Sequence, residues 1–184
     1  MKQALVCGLA AALMVSACGK TEDGAANNGS SAGVEQGGNG TLATALDGNL
    51  RLAAAVKAAG LEPTLAGKVP YTLLAPSDAA FDKLGAGSLD AMMKPERRAE
   101  LTALLSNHLL PGTVLAADIG KAIDAGGGKA LMATMGGGTV TAQRDGDRIV
   151  FTDAAGTRAT VGAADQQRSN GVVHQIDSVL KPAT

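Results

Sequence analysis

At 184 residues, with 46% hydrophobic side chains and a formal net charge of −1, the chain has room for one ordinary domain plus extensions, and it carries no electrostatic footprint for nucleic acid or anionic lipid. Its aromatics are only Tyr71, Phe81 and Phe151, so the stacking platforms used for single-stranded nucleic acid and by conventional carbohydrate-binding modules are lacking. Both cysteines, Cys7 and Cys18, lie near the N-terminus, which leaves the remainder without a disulfide, a redox thiol or a thiolate metal site.

Lys2 and the apolar run of residues 4 to 17 have the pattern of a secretory signal, too short for a spanning helix, which needs about twenty residues. The run ends in Val15-Ser16-Ala17-Cys18, which resembles a bacterial lipobox with Cys18 as the acylated residue; Gly19 after it is compatible with outer-membrane sorting. Residues 1–17 are therefore expected to be a lipoprotein signal peptide. Residues 18–40, rich in Gly, Asn, Ser and Ala with Val34 as the single bulky apolar side chain, are expected to form a lipidated Cys and a flexible tether. The folded domain is expected over 41–184, without internal repeats.

Within it, Leu42, Ala45 and Leu46 suggest a short helix stopping at Asp47-Gly48. Asn49 can cap a second helix carrying Leu52, Ala53, Val56 and Ala59, with Gly60 as its stop. Residues 71–74 look like a buried strand ended by Ala75-Pro76; Ser77 then caps a helix whose Phe81 and Leu84 point inward. The strongest helix starts at Pro95, with Leu101, Leu104, Leu105 and His108 at helical spacing, and Leu109-Leu110-Pro111-Gly112 is expected to terminate it. Another short helix is expected over 115–124, before Gly126-Gly127-Gly128. The period then becomes strand-like over 130–134, 139–143, 148–152, 157–161 and 172–180, with Arg144-Asp145-Gly146-Asp147 as a hairpin turn. Helices first and strands later give an α+β class.

Two segments carry a family resemblance. The first is Tyr71-Thr72-Leu73-Leu74-Ala75-Pro76-Ser77-Asp78-Ala79-Ala80-Phe81; the second is Ser169-Asn170-Gly171-Val172-Val173-His174-Gln175-Ile176-Asp177. In this order and spacing they resemble the N- and C-terminal signatures of fasciclin domains. The resemblance implies a single fasciclin-like domain with helices packed on a twisted antiparallel β-wedge. It also implies structural roles for Pro76, Ser77, Phe81, Asn170, Gly171, His174 and Asp177. Asn-Gly at 170–171 is by itself a turn signal, since both residues tolerate positive φ.

His174 sits on the apolar face of its strand, where a buried histidine bonding backbone groups is the expected role. His108 matches the His of the family's central Tyr-His motif, with Asn107 in place of the Tyr. Asp165 matches the acid of an Asp-Ile pair that helps some animal fasciclin domains engage integrins, with Gln166 at the Ile position. Asn107, His108, Asp165 and Gln166 are therefore the candidate partner-binding residues, although Asp165 also fits simple turn chemistry. Two histidines sixty-six residues apart give no metal-ligand spacing, and nothing resembles a nucleophile elbow or a phosphate loop. No metal, cofactor or catalytic residue is expected. The sequence points to a lipid-anchored envelope domain acting as a non-enzymatic adhesion or protein-interaction module. Its partner would be a cell-surface or matrix-like protein or glycan, with membrane contact through the N-terminal lipid. The alternative is a periplasmic small-molecule or glycan-binding accessory factor of an envelope complex.

Overall fold

The computed structural model describes residues 40–85 and 87–182; the expected signal peptide, Cys18 and most of the tether lie outside the described residues. A 3-10 turn, Thr44–Gly48, leads into helix α1 (Leu50–Ala59), which buries Leu52, Ala55, Val56 and Ala59 at helical spacing. Asn49 occupies the N-cap position as expected, but its side chain makes no capping bond, and Ala55 takes the inward place expected of Ala53. Gly60 closes the helix in the left-handed conformation, φ 75°. Next come the single-turn helix α2 (Glu62–Ala66) and strand β1 (Tyr71–Pro76), which runs through Pro76 instead of stopping at Ala75. Ser77 caps α3 (Asp78–Asp82) by accepting the Ala80 N–H at 3.2 Å, and Phe81 is fully buried.

Helix α4 (Ser88–Met92) and a 3-10 turn at Pro95–Arg97 precede α5 (Arg98–Ser106), whose buried face is Leu101, Leu104 and Leu105. The helix ends two residues before His108. The following Leu109–Pro111 is strand β2, paired antiparallel with β1, and not merely a helix terminator. Helix α6 (Ala116–Ala125) buries Ile119 and Ile123. The strand-rich half then runs β3 (Lys129–Ala133), β4 (Thr139–Asp145), β5 (Arg148–Thr152), β6 (Arg158–Thr160), β7 (Gln166–Arg168) and β8 (Gly171–Ile176). The hairpin at Gly146 forms as its sequence requires, with φ 60°.

These strands make two four-stranded sheets, ordered β2-β1-β8-β7 and β3-β4-β5-β6. The expected α+β wedge is present, and its ladders are antiparallel with one departure: β1 and β8 run parallel, from Tyr71↔Gly171 to Pro76↔Ile176. Because the two strands come from opposite ends of the domain, almost everything between them serves as the crossover that a parallel pair requires. Both faces of the first sheet are covered. Leu73, Ala75 and Val173 pack on the helical side with Leu52, Val56, Phe81, Leu101 and Leu105. Leu74 and Ile176 pack on the other side with Ile119, Ile123, Val140, Phe151 and Leu180. Helices, first sheet and second sheet thus form three layers around two cores.

Gly171 is the point where β8 enters this arrangement. Its φ is 154°, and a Cβ there would fall onto the Tyr71 carbonyl oxygen, with Leu42 Cδ1 3.1 Å away. The Asn-Gly pair works differently from a turn in which both residues adopt positive φ: among the described non-glycine residues only Asp165 does so, and the role of Asn170 is carried by its side chain. Gly171→Val is expected to cost about 3 kcal/mol or more, because backbone must move to admit the side chain. Gly146→Asn, whose new Cβ meets open space at a left-handed position Asn tolerates, is expected to cost under about 1 kcal/mol. Denaturant melts of the two variants check this, and equal midpoints would refute the close-approach argument.

Candidate functional site

His174 lies on the second-sheet side of β8 and is wholly buried. Its Nε2–H donates to the Val114 carbonyl at 2.8 Å, while Nδ1 accepts the Asp165 N–H at 3.2 Å, which sets the neutral tautomer. On adjacent β1, the Thr72 hydroxyl donates to the Gly112 carbonyl and accepts the Val114 N–H, both at 2.8 Å. Two neighbouring strands thereby hold the segment that feeds α6. The first residue of α6 lacks a cap from Leu115, and Asp165 supplies one from across the fold, accepting the Ala116 N–H at 2.7 Å. Asp165, at φ 55°, is thus a capping and turn residue with its carboxylate part-exposed.

Asn107 and His108 occupy the turn after α5, and both are buried, 3% and 0% exposed. His108 Nδ1–H donates to the Leu104 carbonyl at 2.9 Å, and Nε2 accepts the Leu180 N–H at 3.0 Å. Asn107 donates to the Lys181 carbonyl at 3.2 Å and accepts the Thr134 hydroxyl at 3.0 Å. Gly136 and Gly138 let the β3–β4 turn lie against Asn107, since a Cβ at either would come within 3.2 Å of it. Asp153 completes the cluster by accepting the Thr157 N–H at 2.8 Å and the Lys181 N–H at 2.6 Å. The expectation that Asn107 and His108 offer contacts to a partner is therefore corrected. They sit beneath the surface with their hydrogen-bonding groups spent on the chain itself, and Asn107 is a tie.

The remaining signature residues are fastenings as well. Asn170 accepts the Leu42 N–H at 2.7 Å and donates to the carbonyls of Leu65 and Gly67 at 2.8 and 2.6 Å. Asp177 accepts the Thr160 N–H at 2.7 Å and lies 3.6 Å from the Lys83 ammonium. Partial burial pushes its carboxyl upward, but the bonds from Thr160 and Ser178 and the Lys83 charge outweigh that and hold it below its ordinary value.

Among the described residues, two hollows at the surface bear on ligand binding. The outer face of the second sheet is uncovered around an open hollow of about 670 Å³, where Lys129, Leu131, Thr141, Gln143, Thr152 and Arg158 lie; Leu131 is 76% exposed. A second hollow, of about 290 Å³, opens where the helix-facing side of the first sheet emerges at its β7 edge. Gln166 and Arg168 of β7 line it with Gln175 of β8 and with Asp47 and Asn49 beside the start of α1. Of the four expected partner-binding residues, only Gln166 reaches this groove. Arg168 and Gln175 carried no sequence signal, because strand pairing alone brings them to one face, and Asn49 showed only as a helix cap. Among the described residues there is no cluster of three or more His, Cys, Asp or Glu able to hold a metal, and no helix is long and apolar enough to cross a membrane.

The model of the Fasciclin domain family matches residues 50–182, most of the chain. The chain belongs to the fasciclin domain family. It is 36% identical over 132 residues to Protein sll1483 of Synechocystis sp., covering 71% of this chain and 66% of that one. It is also 36% identical over 132 residues to the transforming growth factor-beta-induced protein ig-h3 of Sus scrofa, but that stretch is only 17% of the pig protein. Thus the chain spans about two thirds of the cyanobacterial relative and under a fifth of the vertebrate one. Among solved structures, a FAS1 domain pair from the insect cell adhesion molecule Fasciclin I superposes with a TM-score of 0.69 at 16% identity, over 78% of this chain and 51% of that one. At that identity the likeness is one of fold.

In this fasciclin domain both histidines are spent on holding backbone together, and for His108 that has a pH consequence. Burial lowers the pKa of His108 from 6.5 to about 4, against smaller upward pulls from the Leu104 carbonyl and Asp153. The folded state therefore resists a proton that the unfolded chain accepts. The His108 contribution is fully present above pH 6.5 and is lost as pH falls toward 4, a decline on the order of 3 kcal/mol across that window. Loss of the Asp177 contribution follows at lower pH. Denaturant titrations between pH 7 and 5 are expected to show the decline, and a His108→Asn variant, less stable at pH 7, to lose that share of it. An unchanged slope in the variant would contradict the assignment.

Proposed function

We propose that the protein is a non-enzymatic adhesion or interaction module of the cell envelope, anchored by lipid on Cys18 and sorted to the outer membrane, with the domain reaching outward on the tether of residues 18–40. Its partner is a cell-surface or matrix-like protein or a glycan. The carrying observation is how the chain's polar chemistry is disposed. His108, His174, Asn107 and Asp153 all face inward and are consumed by groups of the chain itself, while an uncovered sheet face and a polar edge groove are left on the surface. Family membership supports the same use, since the fold recurs in an insect cell adhesion molecule. The anchor is supported by Val15-Ser16-Ala17-Cys18 and the polar tract behind it.

Two measurements test this. Cys18→Ala is expected to leave the membrane fraction and lose acyl label; a wild type without acyl label and a variant that still fractionates with membrane would sink the anchor. A photo-crosslinking side chain at Gln166 is expected to capture a discrete envelope partner in intact cells. Yields no higher than from the same group at Lys57, exposed on α1, would count against this edge as the contact surface.

A further inference from the structure

Arg168 is the one group among the described residues whose bonding is left incomplete where water does not reach. Among the described residues its Nε is the only buried side-chain nitrogen or oxygen without a hydrogen-bond partner. Buried polar atoms are ordinarily satisfied, so an orphan of this kind calls for a cause. Nη1 donates to the Gln167 carbonyl at 3.1 Å, and neither Nε nor Nη2 bonds any described residue. Five other arginines have acceptors: Arg51, Arg97, Arg144 and Arg158 pair with Asp82, Glu100, Asp124 and Asp145, and Arg98 reaches the Ala59 carbonyl, while Arg148 is exposed to water. Arg168 has no carboxylate, even though Asp47 lines the same groove.

The surroundings narrow what would complete it. The Nε–Nη2 edge of a guanidinium is a planar fork that matches two carboxylate oxygens, and Arg168 lines the groove with that edge unpaired. Around it stand the half-buried amides of Asn49, Gln166 and Gln175, none bonded to a described side chain or backbone group, and the exposed carboxylate of Asp47. Such a wall offers donors and acceptors at several directions but little apolar surface and no aromatic ring. A peptide acid would use the guanidinium and meet the amides only through its own backbone groups. A ring bearing one carboxylate and several hydroxyls would use both, and the groove, at about 290 Å³, suits a single sugar unit.

We infer that the groove beside β7 binds one uronate unit of an acidic glycan, with Arg168 turning its Nε–Nη2 edge outward to grip the carboxylate and Gln166, Gln175, Asn49 and Asp47 receiving the hydroxyls. This names the ligand class at the edge assigned above to partner contact and rests on that assignment only for its biological use. The binding itself is measured on purified protein, so its failure would leave the crosslinking result to stand or fall alone.

The test is a titration of the full-length protein, labelled with nitrogen-15 and held in detergent, against galacturonate, galactose, acetate and a di-glutamate peptide in parallel. Galacturonate is expected to shift the Arg168 Nε–H and the Gln166 and Gln175 side-chain amide resonances saturably, with galactose and acetate at least tenfold weaker. Arg168→Gln is expected to lose at least tenfold in affinity while its melting temperature stays level or rises, because the orphaned Nε is removed. Equal affinity for galactose would overturn carboxylate recognition, and equal affinity for acetate would overturn sugar recognition. Tighter binding of the peptide, or no saturable shift at all, would overturn the proposal. A fall of several degrees in the melting temperature of Arg168→Gln would do the same by marking the guanidinium as a structural tie.

Discussion

The parallel ladder between β1 and β8 is the constraint on which the rest of the molecule depends. A parallel pair cannot be closed by a tight turn, and here its crossover contains α3 to α6, β2 and the whole second sheet. Both strands are buried on both faces, so their alternation must satisfy two cores at once. A slip of one residue would bring His174 among the leucines of the helical side and carry Val173 to the Val114 carbonyl. Register is secured at the entry point. Gly171 admits the Tyr71 carbonyl where no side chain fits, and Asn170 ties Leu42, Leu65 and Gly67 to the same corner.

A second consequence concerns what holds such a domain together without covalent help. No cysteine lies among the described residues, so no disulfide restrains the unfolded chain. In its place are long-range polar ties between side chain and backbone, spanning 128 residues for Asn170–Leu42, 72 for His108–Leu180 and 60 for His174–Val114. Each contributes about 1 kcal/mol when made and costs more when one partner is left behind, which makes them fastenings that also specify position. The two histidines belong to this set. Their chemistry is exhausted by a donor at one ring nitrogen and an acceptor at the other.

Legibility in the sequence follows the range of the forces involved. Helices α1, α5 and α6, the β3–β6 meander and the Ser77 cap could be read because periodicity and capping act over one or two turns. Helices α2 and α4 and strands β2 and β7 could not, since three to five residues are too few to display a period; Leu109-Leu110-Pro111-Gly112 looked like a stop because Pro and Gly do end helices, yet an edge strand tolerates both. The parallel pairing is a contact between distant segments, with no local signature. Strand alternation puts His174 on the apolar face of β8, where it is buried. His108 was placed on a helical face, whereas it lies in the turn beyond, and only the path of the C-terminal residues explains why it is buried. The groove was least legible of all, as it is assembled from the turn before α1, β7 and β8.

These points separate what identifies the domain from what it binds. The matched signature residues (Pro76, Ser77, Phe81, Asn170, Gly171, His174 and Asp177) are caps, ties and core, and their agreement with adhesive relatives testifies to the fold alone. Binding has to be sought where packing leaves choices open, at sheet edges and uncovered faces. There the physical signal is inverted. In the core a good residue is one whose bonds are complete; at a binding edge the telling residue is one whose bonds are not. Arg168 fits the second description, because a guanidinium with a buried and unpartnered Nε is a worse solution to packing than a shorter neutral side chain would be. Its incompleteness is an argument about function that the histidines, for all their chemical promise in the sequence, do not supply.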